Sequence, residues 1–265
     1  MKRQLPFELI YQAAALIVAV ILVHLVYVTV IRPNADAIIT AQAERAAAGE
    51  AYAQDRSLYV VLKDYEQESC FVLMLWAIAI MGYKTRSALR ERSLLQEDIV
   101  KISEGMSVLP EDTREYARAV QALPDDNRNY LLPRALMAAL QRFASTRNVQ
   151  DVSEAVRSVC ESESDRLDSE LSMVRYIAWA IPSIGFIGTV RGIGDALSQA
   201  HKAVEGDITG VTQSLGVAFN STFIALVISI VVMFFVHQLQ LVQERLVLET
   251  ETYCDRRLIR YLKSG

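Results

Sequence analysis

From Tyr176 to Gln240 the chain reads as two apolar helices joined by a short polar link, Gln199 to Gly210. Each run is long enough to cross the hydrocarbon core of a bilayer, which takes about 20 residues at about 1.5 Å rise. Inside such a core the backbone must satisfy its own polar groups, so the pair reads as a transmembrane helical hairpin. Small and hydroxyl residues then mark one face of each helix. Gly185, Thr189, Gly192 and Ala196 recur along the first helix at spacings of four, three and four, and Ala218, Thr222, Ala225 and Ser229 do the same along the second. Those intervals keep each set on a single face. Gly188 and Gly192 also form a GxxxG, and small residues let membrane helices approach closely. One reading is a packing seam through Gly185, Gly188, Gly192, Ala218 and Ala225. The other is a polar-lined ion path, with Thr189, Thr222 and Ser229 presenting hydroxyls at membrane depth. The two are compatible, because the lining of a path must also be packed.

The residues that carry this pattern also carry a resemblance. Ile184-Gly-Phe-Ile-Gly-Thr-Val-Arg-Gly-Ile-Gly194 resembles the Gly-x-x-Gly-Thr-Val-x-Gly-Ile signature of the MotA/TolQ/ExbB proton-channel family. Ala218-Phe-Asn-Ser-Thr-Phe-Ile-Ala-Leu-Val-Ile-Ser229 is similar to that family's last helix, with its own central threonine. The likeness covers roughly Ser172 to Gln240, and the rest of the chain agrees in arrangement only. It implies the channel subunit of an ion-driven motor in the bacterial inner membrane. In that family five channel subunits surround two helices of a MotB/TolR/ExbD-like single-span partner, whose helix carries an aspartate. Members similar to ExbB carry a glutamate five residues before the second threonine. The corresponding residue here is Val217.

The remaining segments complete an all-α membrane protein with four transmembrane helices. Phe7 to Ile31 is a long apolar run that contains His24, and Arg32-Pro-Asn is expected to end it. A lone histidine in such a run reads first as a packed, hydrogen-bonded ring and second as a proton relay. Residues 32–69 mix alanine with charge and form the expected periplasmic loop of an N-terminal transmembrane pair, residues 1–83. The second run, Cys70 to Tyr83, is short for a span, but Lys84 and Arg86 can snorkel from its end. Lys2 and Arg3, the group Lys84, Arg86, Arg90 and Arg92, then Arg175, and finally Arg256, Arg257 and Arg260 stand at the span ends. The positive-inside rule puts all of them, and both termini, in the cytoplasm.

Residues 84–174 then form a helical cytoplasmic insert, 175–240 the channel pair, and 241–265 a cytoplasmic helical tail. Within the insert, helices are expected from Thr85 to Ser103, ending near Gly105, from Pro110, from Pro133 to Thr146, and from Val149 directly into the membrane. The last carries a stripe of Val149, Val152, Val156, Val159, Leu167, Leu171 and Val174, interrupted around Glu163. No break follows His237, so the final helix is expected to extend far past the bilayer.

Charge inside the membrane is costly, about 2.5–3.5 kcal/mol at its centre on insertion scales. Arg191 and Asp195, one turn apart, are therefore expected to pair at the outer mouth. Asn220 is expected to hydrogen-bond to another helix. No Asp or Glu lies between Tyr176 and Arg191 or between Leu215 and Gln243. Protonation steps need a titratable group at depth, so the acid is expected from the partner. H⁺ and Na⁺ both suit hydroxyl-lined paths. A non-transporting oligomeric scaffold, held by the same glycine contacts, is the alternative.

The chain has 52% hydrophobic and 22% charged residues and a net charge of −4, with no basic-aromatic stretch that would bind nucleic acid. Cys70, Cys160 and Cys254 lack metal-ligand spacing, so no metal site or other cofactor is expected. Phosphate-binding glycine loops and hydrolase signatures are absent, which sets an enzyme aside.

Overall fold

The computed structural model describes residues 4–47, 57–102 and 106–263. Among them every regular element is helical, apart from one isolated parallel bridge between Val108 and Leu262. Four helical stretches are long and apolar enough to cross a membrane: Phe7–Gln42, Tyr65–Leu94, Val149–Ser198 and Thr209–Tyr261. The chain falls into two compact units, Met1–Met81 with Met173–Val236, and Gly82–Ser172 with His237–Gly265.

The first unit begins with α1 (Gln4–Val26), and the stop expected at Arg32-Pro33-Asn34 does not occur. Instead α1 passes through a π-helical turn, Tyr27–Ile31, into α2 (Arg32–Ala47). The Arg32 N–H bonds the carbonyl of Tyr27, five residues back, and the Asn34 side chain donates to the Val30 carbonyl at 2.7 Å. Pro33 lacks an N–H, so it is tolerated where the backbone ladder is already shifted. After the short α3 (Leu58–Leu62), α4 runs from Tyr65 to Leu94. It is longer than the apolar run Cys70–Tyr83, because its polar ends are helical too. Glu66 and Glu68 lie in its first turn, where the helix dipole favours acids. α4 runs antiparallel to α1, with the Tyr11 hydroxyl donating to the Ala79 carbonyl at 3.2 Å and the Trp76 indole donating to the Gln12 carbonyl at 2.9 Å. α9 (Ser172–Ser198) and the first half of α11 (Thr209–Arg257) complete the unit, linked through the short α10 (Ala200–Val204).

The second unit has a conventional apolar core. α4 ends at Leu94, well before the expected stop near Gly105, which with Ser103 lies outside the described residues. The reason is tertiary. The Ile99 N–H donates to the Tyr253 hydroxyl at 3.2 Å and that hydroxyl donates to the Glu97 carbonyl at 3.0 Å, which holds the segment in a non-helical path that buries Val100. α5 (Thr113–Gln121) starts at the third residue after Pro110, and Pro124 opens the one-turn α6 (Asp125–Arg128). α7 (Leu131–Thr146) ends where Arg147 takes the left-handed conformation, and α8 (Val149–Glu170) begins with Asn148 accepting from the Gln150 N–H at 2.9 Å. Leu132, Leu136, Leu140 and Phe143 of α7 pack with Val152, Val156 and Cys160 of α8 and with Cys254, Leu258 and Ile259 near the chain's end.

Glu163 does not interrupt the buried stripe of α8 but continues it, at 2% exposure. Its carboxylate accepts from Arg134 at 2.8 Å and from Arg166. Burial pushes the Glu163 carboxyl up, yet the hydrogen bonds and charges of Arg166 and Arg134 outweigh it and hold the group below its ordinary value. A charge can sit in this core because it is paired. Cys160 and Cys254 are buried, and burial pushes the Cys160 thiol up to about 11 and the Cys254 thiol up as well.

Candidate ion path between α9 and α11

α9 and α11 cross the first unit antiparallel and nearly touch. A Cβ placed on Gly192 would lie 2.8 Å from the Ala218 Cβ, the Ala218 nitrogen and the Ser214 carbonyl oxygen. One placed on Gly188 would lie 2.6 Å from the Ser221 Cβ, and one on Gly185 would collide with the Ala225 Cβ. No side chain fits at any of these positions, and Ala218 and Ala225 are fully buried opposite them. The exposed sides of the same helices are apolar, as at Phe186, Val190, Phe223 and Ile230.

This close approach brings the two threonines together. The Thr189 and Thr222 hydroxyls are in hydrogen-bond contact. Thr189 also reaches the Ala218 carbonyl at 3.0 Å, and Thr222 reaches the Gly185 carbonyl at 3.2 Å. Each hydroxyl has one proton to donate and two lone pairs to accept with. Two hydroxyls among carbonyl acceptors can therefore reorient, and can donate to a carboxylate or accept from a carboxylic acid. Ser229 stands two turns further along α11 and donates to the Ala178 carbonyl at 3.2 Å. Asn220 is half-buried and, among the described residues, does not make the expected interhelical hydrogen bond.

Arg191 does not pair with Asp195. Its guanidinium donates to Glu66 of α4 at 2.8 Å and lies 3.9 Å from Asp64, whereas the Asp195 side chain is exposed. A pairing within α9 leaves both groups at the surface. The contact with α4 instead neutralises carboxylates that are about nine-tenths buried.

Beside the threonines, the start of α4 supplies residues that the sequence did not single out. Gln67, 1% exposed, donates to the Ser221 hydroxyl at 3.4 Å and the Val61 carbonyl at 3.1 Å. Glu68 accepts from Arg32 through one oxygen and lies 2.7 Å from His24 Nδ1 through the other. His24 is thus hydrogen-bonded but not packed: its side chain is 59% exposed. Arg32 also stacks on the rings of Tyr65 and Tyr27, 4.3 and 5.6 Å from their centroids. Among the described residues, three buried polar atoms around this cluster have no hydrogen-bond partner: the Tyr27 hydroxyl, Asp64 Oδ2 and Gln67 Oε1. The sequence did contain a signal. Asp64, Glu66 and Glu68 stand immediately before an apolar run, and acids so placed need counter-charges at the same depth. Among the described residues no three His, Cys, Asp or Glu side chains gather closely enough to hold a metal ion.

The family model described as the MotA/TolQ/ExbB proton channel family matches residues 127–252, a range that holds both threonines. No curated protein and no solved structure matches the chain.

Proposed function

From the match of residues 127–252 to the MotA/TolQ/ExbB proton channel family, we propose that the chain is the channel subunit of an ion-driven rotary motor in a bacterial inner membrane. Five copies surround two copies of a MotB/TolR/ExbD-like single-span partner, and the partner's aspartate runs past the threonines. The contact between the Thr189 and Thr222 hydroxyls carries this reading. Two orientable O–H groups, held by carbonyls in an apolar setting, are suited to solvate an acid in both its charged and its neutral form. The apolar stretches of α9 and α11 hold no carboxylate of their own, so the acid comes from the partner. Basic residues at the span ends favour cytoplasmic termini and a cytoplasmic second unit. Lipid covers the exposed apolar faces that the other subunits leave free.

The test uses membrane vesicles containing the full complex. Thr189→Val with Thr222→Val is expected to abolish ion flux while the partner still co-purifies. Undiminished flux in that double variant refutes the proposed role of the threonines and favours a non-transporting scaffold.

A further inference from the structure

We infer that His24, held by Glu68, is a proton-binding site of this chain itself, on the outer side of the threonine pair. The inference rests on the channel reading and deepens it by adding a proton-binding group that the two channel helices lack.

The geometry begins with the π-helical turn. Eight residues of regular α-helix would set Arg32 about 80° around the axis from His24. The extra residue of a π turn at Tyr27–Ile31 brings it back to within about 20°. Both side chains then reach one carboxylate. Arg32 takes one oxygen of Glu68, and His24 Nδ1 lies 2.7 Å from the other. A carboxylate held in this way accepts, so Nδ1 carries the hydrogen and Nε2 is left with a free lone pair. The side chain bearing that lone pair is 59% exposed, although Glu68 is only 12% exposed. An exposed imidazole oriented by a buried carboxylate is built to take up and release a proton.

The charges around it favour that occupant. From α4 and the residue before it come Glu68, Glu66 and Asp64, with Lys63 beside Asp64. The α1–α2 helix contributes Arg32 and Tyr27, Tyr65 of α4 stacks on Arg32, and α9 contributes Arg191. α11 brings the hydroxyl of Ser221. Lys63, Arg32 and Arg191 balance Asp64, Glu66 and Glu68 charge for charge, so the cluster is neutral while His24 is neutral. One proton moves from hydronium to Nε2, leaving water behind, and the resulting imidazolium faces Glu68. When the site discharges, the same proton leaves from Nε2. A ring nitrogen holds a proton but does not bind an alkali ion. The unpartnered Tyr27 hydroxyl and Gln67 Oε1, in residues 2% and 1% exposed, are the second mark of a site that takes a small polar guest. Gln67 donates to Ser221, the neighbour of Thr222, which ties the cluster to the path.

The experiment uses the full-length chain with ¹⁵N-labelled histidine in phosphatidylcholine vesicles, with His201→Gln and His237→Gln leaving His24 as the sole signal. The ¹⁵N signals are expected to show the hydrogen on Nδ1, bonded to the Glu68 carboxylate, and to change on acidification as Nε2 takes up a proton. Glu68→Gln is expected to remove the carboxylate signature from the Nδ1 signal, because the accepting anion is gone. A His24 signal that does not respond to acid, or one that Glu68→Gln leaves unchanged, overturns the inference. In vesicles of the complex, His24→Gln is expected to lower proton flux about tenfold. Flux that is unchanged in His24→Gln but lost in the double threonine variant overturns this inference and leaves the channel reading intact. Flux that survives the double threonine variant removes the channel reading, and the ¹⁵N signal still decides the site.

Discussion

The close approach of α9 and α11 can be measured by adding a single methyl group in two places. A Cβ on Gly192 meets the Ala218 Cβ, the Ala218 nitrogen and the Ser214 oxygen at 2.8 Å, whereas one on Gly194 meets nothing within 4 Å. Two of the three atoms facing Gly192 are backbone and cannot rotate aside. α11 must therefore retreat by about half an ångström or more before ordinary contact, which begins near 3.4 Å, is restored. Both substitutions gain the same helix propensity, about 1 kcal/mol for alanine over glycine. That gain cancels in a comparison of Gly192→Ala with Gly194→Ala. What remains is the overpacking cost, about 1–3 kcal/mol. At about 2–4 °C per kcal/mol, Gly192→Ala should melt roughly 2 to 12 °C below Gly194→Ala, as read by the fluorescence of Trp76 and Trp179 in detergent. The same retreat opens the Thr189–Ala218 carbonyl bond, now 3.0 Å and one turn away, so ion flux should fall in Gly192→Ala alone. Equal melting temperatures and equal flux in the two variants would refute the close approach.

Two further outcomes follow from the charge pairs. Glu163→Gln should lower the stability of the second unit by about 1–3 kcal/mol at neutral pH, because a buried acceptor of charge-assisted bonds is weakened. The folded state holds the Glu163 carboxyl below its unfolded value. Its stabilisation is therefore complete above the unfolded pKa, about 4.3, and is lost as pH falls through the folded value. Thermal melts of the wild type and the variant should accordingly converge in acid, and a gap that stays constant down to pH 2 would contradict the pairing. Arg191→Gln should cost about 1–2 kcal/mol by leaving Glu66 without its partner, while Asp195→Asn should change stability by no more than about 0.5 kcal/mol. Equal effects of the two on a denaturation midpoint would show that Arg191 pairs along its own helix after all.

The resemblance that Gly185 to Gly194 and the Thr222 helix suggest agrees with the family match over residues 127–252. The all-helical class and four membrane-length helices were equally legible. Hydrocarbon forces the backbone to bond to itself, so long apolar runs determine helices without reference to the rest of the chain. Period also carried the spacing of glycine, alanine and threonine, since 3.6 residues per turn is a local property.

Partners are not local. The sequence could put Thr189 on a face of α9 and Thr222 on a face of α11, but only packing of Gly185 on Ala225 and Gly192 on Ala218 makes those faces meet. Pro33 looked like a helix stop because the π turn that accommodates it has no sequence period. Glu163 looked like a break in an apolar stripe because Arg134, its partner, lies on a different helix. Arg191 could reach Asp195 along its own helix, yet buried Glu66 gains more from the contact and takes it. Helicity and membrane length were therefore determined by the sequence itself. Which charge meets which was decided by tertiary structure, because a Coulomb interaction depends on distance and burial in space and not on separation along the chain.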